Sequence, residues 1–536
     1  MKTILINALT YFLPESNGEV MQLVEQAKQK NQKIAVRGAA HSFPLVKTNE
    51  THADYLFIML TYLDKITALN KSTGVVTVQA GCHLGLDPQD KTGVSNIENS
   101  LVYQLDPFDL KTGKRNQAPG WALPDLGGIS HQTIGGFMAT GSSGGATQYA
   151  FESAIMSVDI IHHDGTRAKL RTFTRPKDGN NSDPFFGAAF VNLGLMGIVV
   201  SVTIQCVPAY NISGIDVTSN YDDCKIDGEE IDIFGPDKAD KLSLKEFFNK
   251  PYYTRFLWWP QENVQIINFW KAKRTDAFTD WQSFKSNPYV EFQPILGSDT
   301  LPQKIAENLF LLIGNFPDWL VQIYNFFGFH EQTKDEIERF ATRLSDFWLK
   351  LILKLVQPLN TQENRPASFT DVWWNGLPMD NAASDTIATI WFTELWISID
   401  QTQAVMLDLR NFFEKDPLNA GTFSTEIYAA GRNDFWLSPA YKTDVIRIDI
   451  FWLAEYKNKP EDYYQLFWTN LAKYNYRPHW AKYLPSADGA QGYKYLQNLY
   501  PAWKQWSALR TEMDPLDLFL TDYWAEHLFG IKAKIA

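Results

Sequence analysis

The sequence is poor in cysteine and shows no spacing typical of a structural metal site. Its three cysteines, Cys82, Cys206 and Cys224, are far apart and form no CxxC pair. This pattern indicates neither a disulfide framework nor a zinc site, and we expect no bound metal. A cytoplasmic location is the default expectation for such cysteine usage.

Basic residues are outnumbered as well. The 49 lysines and arginines stand against 61 aspartates and glutamates, which gives a formal net charge of −12. Because binding to a phosphate backbone requires a surplus of positive charge, we expect no nucleic-acid partner.

Long apolar runs are missing too. The nearest approach to a membrane-spanning stretch is residues 306–329, and polar residues and a proline interrupt it. We therefore predict no transmembrane helix. Residues 1–18 lack a small-residue cleavage site and are predicted to form the first structural element rather than a signal peptide.

What the chain has in abundance is length and aromatic side chains. Its 536 residues are 45% hydrophobic and include 35 Phe, 23 Tyr and 18 Trp. A chain of this length predicts two or three domains. Aromatic residues either enlarge a core or line an apolar ligand cavity, and the composition leaves both open.

The pattern along the chain predicts an α+β protein. Residues 1–207 alternate short strands with helices, such as a helix over 18–30, and Asp164-Gly165 predicts a hairpin turn. Residues 208–475 combine strands with long helices, which indicates a cap domain with an antiparallel sheet. Residues 476–536 are predicted to pack back on the first domain. Specific predictions in the cap are a helix over 334–356 and strands over 255–259, 387–399, 422–429 and 445–453.

Three clusters of small residues carry the chemistry. The first is RGAAHSF at 37–43, the second is the glycine-rich stretch 123–145, and the third is LGLMGIV at 193–199. Small residues let a backbone approach a phosphate or a flat ring closely, and successive N–H groups bind anions. The spacing of the second cluster is neither a Rossmann fingerprint nor a P-loop. Taken singly, the first and third clusters are equally compatible with plain turns.

Together and in this order, the clusters resemble the vanillyl-alcohol oxidase / p-cresol methylhydroxylase superfamily of FAD enzymes. The resemblance covers residues 18–208. Within the superfamily the chain is most similar to sugar-lactone and alditol oxidases, through residues 123–141 and RPHWAK at 477–482. The latter matches an HWGK-type motif, with Ala481 where glycine is usual. The implied fold is a two-subdomain, PCMH-type FAD-binding domain with a cap.

The resemblance implies FAD as the cofactor, bonded covalently to His41 or in noncovalent contact with it. The glycine-rich stretch contains no cysteine, so at most one covalent link is expected. Gly135 and Gly136 correspond to positions that control oxygen access in relatives. The residues implied to contact FAD are His41, Arg37, Gly38, Ala39, Ala40, Ser42, Gly81, Pro124, Asp125, Gly128, Ser130, Thr133, Gly135, Gly136, Ala139, Thr140, Gly141, Ser143, Gly144, Gly197 and Ile198.

Relatives place a Glu-x-Arg pair on a cap strand facing the flavin. Here Glu426 occupies the first position and Tyr428 replaces the arginine, while both share one strand face. Arg447 on a neighbouring strand either supplies the missing positive charge or forms a structural salt bridge. The remaining catalytic candidates are Lys482, to stabilise negative charge on the reduced flavin, His479, as a base or a packed histidine, and Glu394, as a base or a rim residue.

The predicted function is an FAD-dependent oxidase of CH–OH groups in a small molecule, with O2 as acceptor and H2O2 as product. The alternatives are a dehydrogenase with another acceptor, an oxidative cyclase or amine oxidase, and a noncatalytic binding protein. Residues 225–380 also resemble, over a shorter stretch, the substrate domain of flavin-linked cholesterol oxidases. That region predicts either helices packed on the cap sheet or peripheral contact with a membrane.

Overall fold

The computed structural model describes residues 1–42, 53–176, 183–220, 222, 224–236, 240–291, 300–326, 334–356, 365–382, 389–456 and 458–532. Helices and sheets are mixed throughout these residues, so the predicted α+β class is confirmed. None of the described helices combines the length and apolar character required to cross a membrane.

The chain begins with a four-stranded sheet. Its strands are β1 (Lys2–Ile6), β2 (Leu9–Leu13), β3 (Lys33–Arg37) and β4 (Tyr55–Met59), in the order β1-β2-β4-β3. Helix α1 (Asn17–Gln29) starts where the Ser16 hydroxyl accepts a hydrogen bond from the Glu19 amide, and its buried face consists of Val20, Leu23, Val24 and Ala27. Because β3 pairs with β4 in parallel up to Arg37, residues 38–42 lie at the end of this sheet.

A second, five-stranded antiparallel sheet follows. It contains β5 (Ile66–Asn70), β6 (Val75–Gln79), β8 (Ile155–His163), β9 (Ala168–Thr174) and β10 (Ile198–Gln205), in the order β5-β6-β10-β8-β9. The Asp164-Gly165 turn joins β8 to β9 as predicted. The shorter elements of this region are α2 (Leu101–Leu105), β7 (Trp121–Ala122), α3 (Ile134–Ala139), α4 (Phe186–Ala189) and β11 (Val207–Pro208).

An eight-stranded sheet dominates the following region. Its strands are β12 (Tyr210–Asn220), β16 (Tyr253–Trp259), β17 (Ile266–Asp276), β18 (Ala367–Val372), β19 (Ile390–Ser398), β20 (Thr425–Ala430), β21 (Val445–Leu453) and β22 (Arg477–Pro478). They run in the order β18-β12-β17-β16-β20-β21-β19-β22, and every pairing is antiparallel. We call this the cap sheet. A small sheet of β13 (Lys225–Ile226), β14 (Glu229–Asp232) and β15 (Leu242–Ser243) lies outside it.

The two faces of the cap sheet differ in chemistry because side chains alternate along each strand. One face carries Phe256, Trp258, Ile427 and Ile448 and belongs to an apolar core. Helices α5 (Leu244–Phe248), α9 (Thr402–Lys415) and α10 (Pro460–Leu471) contribute their buried residues to the same core. The opposite face carries charged and hydroxylated side chains, which belong to the candidate site.

Two long helices and three C-terminal ones complete the fold. Helices α6 (Thr300–Phe326) and α7 (Lys334–Val356) pack on one edge of the cap, where they share a core with Trp259 and Leu453, and α8 (Trp373–Gly376) follows β18. Helix α7 has the predicted bounds. The C-terminal helices are α11 (Tyr493–Leu499), α12 (Trp503–Met513) and α13 (Asp522–Phe529), and single 3-10 turns occur at Phe151–Ala154, Ile399–Gln401, Pro417–Ala420 and Ala472–Tyr474.

The C-terminal helices pack against the first part of the chain. Trp506 and Leu509 of α12 belong to the same core as Val20 of α1, and the Ile34 amide donates to the Leu518 carbonyl at 2.7 Å. This is the packing that the sequence predicts for residues 476–536. The division into domains at 207 and 475 stays a prediction.

Candidate active site

The predicted clusters meet at the end of β3. Gly38 packs so tightly against α3 that a Cβ atom there would lie 2.5 Å from the Thr133 hydroxyl oxygen, whereas Thr133 itself caps α3 by accepting from the Gly136 amide at 3.3 Å. The Gly135 amide donates to the Ala80 carbonyl, next to Gly81. The first cluster, residues 80–81 and the glycine-rich stretch therefore form one continuous wall.

The third cluster joins the same wall. The Leu193 amide donates to the Ala139 carbonyl at 3.0 Å, and Gly197 leads directly into β10 at Ile198. Thr140 donates to the Gly136 carbonyl and lies 3.4 Å from the Ser142 hydroxyl, next to Gly141. Thus all three clusters that the sequence singles out are in mutual contact.

His41 lies close to Asp87 and to two further histidines, His83 and His131. Its side chain is only 8% exposed, its Nε2 is 3.8 Å from a carboxylate oxygen of Asp87, and its ring centre is 5.2 Å from that of His131. His83 contacts the other Asp87 oxygen at 3.6 Å. Burial alone would raise the pKa of Asp87, but His41 and His83 hold it well below its usual range. An ionised Asp87 therefore faces both rings.

The other residues of the first cluster follow the same turn. Ala40 has a positive φ of 62°, which turns the chain between Ala39 and His41. Ser42 is half-buried at the end of the described segment. The Arg37 guanidinium lies 5.7 Å from the Tyr11 ring centre.

Asp125 joins the two ends of the glycine-rich stretch. Its carboxylate oxygens accept from the amides of Leu126 and Gly144, each at 2.9 Å, and a Cβ on Gly144 would lie 2.1 Å from the nearer oxygen. Burial, with the nearby Glu152, raises the pKa of Asp125 well above its usual value. The preceding carbonyl of Pro124 accepts from Tyr253 on β16, which ties this end of the stretch to the cap.

A short cap segment holds the middle of the stretch. Asn381 makes two hydrogen bonds of 2.9 Å to Ser130, one to its amide and one to its hydroxyl. The Asp380 amide donates to the Gly128 carbonyl at 2.8 Å, while the Asp380 carboxylate pairs with Arg255 of β16. We call residues 380–381 the clasp. It fixes the glycine-rich stretch against the cap.

Three carboxyl groups lie side by side on the polar face of the cap sheet. Glu426 of β20 is in register with Asp449 of β21, which is in register with Glu394 of β19. All three are buried, at no more than 7% exposure. Three adjacent negative charges would repel each other strongly without water around them. The row must therefore carry protons or be paired with cations.

Arg447 is the cation that pairs with this row. Its Nε donates to Glu394 at 2.6 Å, and its Nη1 donates to the carbonyls of Ser143 and Gly144 at 2.8 and 3.0 Å. Its Nη2 donates at 2.8 Å to the hydroxyl of Tyr428, and this hydroxyl donates at 3.1 Å to Asp449. The sequence left open whether Arg447 supplies a missing positive charge or forms a salt bridge. The salt bridge is present, and the same guanidinium also reaches the glycine-rich stretch.

The pairing divides the row into different protonation states. Burial opposes ionisation of Glu394, but Arg447 lowers its pKa below the usual value. Burial, helped by Glu394, raises the pKa of Asp449 well above its usual range, so Asp449 is neutral. Burial is the main cause that raises the pKa of Glu426, to about 8, and the negative charge of Asp380 is the second. The pKa is raised although Arg255 lies 3.7 Å away. Glu426 is thus the carboxyl that titrates near neutral pH.

The motif at 477–482 brings two further candidates to the same face. His479 accepts the Ala481 amide at its Nδ1 (3.1 Å), and its Nε2 lies 3.3 Å from the Ser142 hydroxyl. Burial lowers the pKa of His479 to about 3, so the ring is neutral and its single proton sits on Nε2. The Lys482 ammonium lies 3.6 Å from the Phe392 ring centre and helps to lower the pKa of Glu394.

The residues fit a bound FAD. Two buried polar atoms of the glycine-rich stretch, Gln132 Oε1 and Ser143 Oγ, have no hydrogen-bond partner among the described residues. Buried polar atoms normally have one, so these atoms are suited to a polar ligand that lies along the stretch. Gly38 and Gly144 allow the segments of this wall to pack closely, because a Cβ atom at either position would overlap Thr133 or Asp125.

Comparison with known proteins agrees with this geometry. Residues 8–86 match the FAD binding domain family, and residues 383–527 match the D-arabinono-1,4-lactone oxidase family. The chain is 24% identical to the L-gulonolactone oxidase of Mus musculus over 519 residues, which covers 96% of this chain and 93% of that protein. It is 29% identical to the D-arabinono-1,4-lactone oxidase of Saccharomyces cerevisiae over 207 residues, which covers 38% and 32%.

Among solved structures, cholesterol oxidase from Brevibacterium sterolicum has the same fold. The TM-score is 0.67 at 17% identity, and the match covers 98% of this chain and 94% of that one. This chain is an FAD-dependent oxidase that combines an FAD binding domain with a D-arabinono-1,4-lactone oxidase domain. The predicted family, the PCMH-type fold, the FAD cofactor and the CH–OH oxidoreductase class are therefore confirmed, and the oxidase acts on a small molecule with O2 as acceptor.

Sequence reasoning missed five residues of the site: His83, Asp87, Arg255 and the clasp pair, Asp380 and Asn381. Arg255 had a usable signal, because it is the one charged residue in the otherwise uncharged strand YTRFLWW. The clasp had none, since Asn381 lies about 250 positions after its partner Ser130. Asp87 and His83 lie in a loop whose pairing with His41 only the folded chain reveals.

We predict that Arg447→Met destabilises the oxidase by about 3–5 kcal/mol, because it leaves the buried Glu394 carboxylate without its cation. Denaturation by urea, followed by tryptophan and flavin fluorescence, measures the loss. The matched control is Arg343→Met, since Arg343 pairs with Glu262 at 2.9 Å but both side chains are 56% exposed. We expect the control to lose less than about 1 kcal/mol. Equal losses in the two variants would contradict the assigned role of Arg447.

Proposed function

We propose that the oxidase acts on a sugar-lactone type of substrate. The observation that carries this proposal is the location of the polar face: Glu394, Glu426, Arg447 and His479 all lie within residues 383–527, which match the D-arabinono-1,4-lactone oxidase family. A buried face rich in carboxyl, guanidinium and hydroxyl groups is suited to a polyhydroxylated molecule, whose polar groups need partners when they leave water. An apolar alcohol would offer this face few hydrogen-bonding groups.

The proposed reaction oxidises a carbinol carbon to a carbonyl. The C–H bond breaks with loss of a hydride equivalent, the hydroxyl proton leaves to a base, and O2 takes up two electrons and two protons to give H2O2. When bound, FAD supplies the two-electron acceptor that links the two halves.

Glu426 is the proposed acceptor of the hydroxyl proton. It is the one carboxyl of the row with a pKa near neutrality, whereas Glu394 is held by Arg447 and Asp449 is already protonated. His479 is less suited to this task, because one ring nitrogen accepts the Ala481 amide and the other bears the proton. We assign His479 to positioning Ser142, beside the glycine-rich stretch.

Arg447 and Lys482 are the proposed sources of positive charge at the reacting centre. Arg447 contacts Tyr428 directly, so the cation missing at position 428 is restored from the adjacent strand. Lys482 also lowers the pKa of Asp449, which places its field within the same group of side chains. Positive charge here stabilises negative charge that develops during hydride loss.

A cytoplasmic setting and contact with a membrane complete the proposal. The three cysteines are free and buried, which is the usual state of cysteine in a reducing compartment. Support for membrane contact comes from α6 and α7, where several large apolar side chains are exposed, among them Phe340 and Trp348.

Substrate class is tested by measuring peroxide release and O2 uptake with aldonolactones, polyols and cyclic apolar alcohols. We expect the highest kcat/KM for an aldonolactone, at least about tenfold above any apolar alcohol. A preference for apolar alcohols would overturn the proposed substrate. Flavin reduction without O2 uptake would instead favour the dehydrogenase alternative.

We predict that kcat/KM rises with pH through about 8, because Glu426 accepts a proton only when ionised and its pKa is raised to about 8. Glu426→Gln should abolish this rise and lower kcat/KM by about 10²–10⁴-fold. Asp449→Asn is the matched control: it alters the neighbouring carboxyl of the same row, which is already neutral, and should keep the rise. A Glu426→Gln enzyme that retains the pH dependence would assign the base elsewhere.

We predict a covalent bond between His41 and FAD. After denaturation in acid and removal of small molecules, the wild type should keep its flavin absorbance and an FAD-sized mass increment, and His41→Ala should lose both. His83→Ala is the control, because His83 contacts the same Asp87 carboxylate. Release of all yellow colour from the wild type would leave His41 as a noncovalent contact.

A further inference from the structure

Helix α7 presents large apolar residues to solvent in addition to those that it buries. Phe340, Phe347 and Trp348 are 63%, 55% and 54% exposed, and Leu344 and Leu351 lie on the same side. The inward side of the helix carries the core residues Leu349, Ile352 and Leu353 together with the buried polar residues Thr342, Ser345 and Asp346. A helix that merely packs on a protein core has a polar outer side, so the exposed apolar side of α7 needs a separate explanation.

Helix α6 extends the exposed apolar surface. The Ser345 hydroxyl contacts the Ile313 carbonyl at 3.4 Å, and residues 306 and 310 share a core with 349–353, so the two helices run antiparallel. In this register Leu312, 65% exposed, lies near the middle of α7, and Trp319, 53% exposed, lies toward its start. We define the hairpin stripe as Leu312, Trp319, Phe340, Leu344, Phe347, Trp348 and Leu351.

The exposed charged side chains on the two helices themselves are mostly basic, unlike those of the chain as a whole. The exposed charged side chains described on the two helices are four basic residues and one acidic residue, namely Lys304, Arg339, Arg343, Lys350 and Glu336. The whole chain has a net charge of −12. A surface that combines Trp, Phe and Leu with basic residues has the composition of helices that lie in a lipid interface.

We infer that the hairpin stripe docks the oxidase on a phospholipid surface that contains anionic lipid. This inference rests on the membrane contact proposed above and names the surface and the lipid chemistry. The stripe enters the boundary between headgroups and acyl chains, while Lys350 faces the anionic headgroups together with Arg339 and Arg343, which pair with Asp416 and Glu262 in the absence of lipid. A second copy of this chain is the alternative partner, although two facing stripes would bring the basic side chains of both copies together.

Cosedimentation of the full-length holoenzyme with vesicles tests the inference. The vesicles contain phosphatidylcholine alone or phosphatidylcholine with phosphatidylserine. We expect binding to the mixed vesicles, weaker binding to the neutral ones, and release at high salt. The double variant Phe347→Glu/Trp348→Glu should partition at least about tenfold less, because two anchoring rings are replaced by carboxylates.

The matched control is Leu170→Glu/Leu466→Glu, since these leucines are 45% and 41% exposed but lie on β9 and α10. It should bind vesicles like the wild type. Both variants should keep the thermal midpoint and the peroxide-forming activity in solution, which shows that they are folded. Failure of the proposed oxidase function would instead appear as absence of peroxide from the wild type, whatever its vesicle binding.

Three outcomes overturn the inference: a wild type that binds neither vesicle, a stripe variant that binds as well as the wild type, or a preference for neutral vesicles. Light scattering after gel filtration decides between lipid and a second copy. A wild-type dimer that the stripe variant, but not the control, converts to a monomer would make the stripe a subunit interface.

Discussion

The guanidinium of Arg447 is the contact on which the site depends. It leaves the cap sheet at β21, reaches the carbonyls of Ser143 and Gly144, and pairs on the way with Glu394. Because it is buried, the guanidinium depends on protein groups for its hydrogen bonds rather than on bulk water. Arg447 therefore joins the cap to the glycine-rich stretch. It also determines that Glu394 is the ionised carboxyl in the row of Glu426, Asp449 and Glu394.

Around this contact the cap sheet has two separate tasks. Its apolar face is covered by α5, α9 and α10, which holds the strands in register. Its polar face is kept rigid by that support, so Glu426, Asp449 and Glu394 stay close together although two of them gain protons in doing so. The clasp adds a second connection, from Asp380 and Asn381 to Gly128 and Ser130, on the other side of the stretch.

Much of this could be predicted from local sequence. Strand β21 and helix α7 have the predicted bounds because alternation and helical spacing are encoded within each segment. The three clusters of small residues likewise predict the segments that line the cofactor site. Contacts between residues far apart in sequence could not be predicted from local patterns. For this reason the sequence did not indicate the roles of Asn381, which contacts Ser130, and Asp87, which contacts His41. The spacing in α7 also predicts the helix but not its orientation, since both sides of the helix carry large apolar residues and either could face the core.

Folding brings the cap sheet and the glycine-rich stretch together, and it takes up protons because carboxyl groups become buried there. Asp125, Glu152 and Asp449 are charged in an unfolded chain at neutral pH, but burial raises the pKa of each, that of Glu152 to about 7. The folded chain therefore binds more protons than the unfolded one, and this share of the stability declines as the pH rises above about 4. Burial of these carboxyls during folding is thus accompanied by proton uptake, and an alkaline medium weakens this part of the packing between the cap sheet and the glycine-rich stretch.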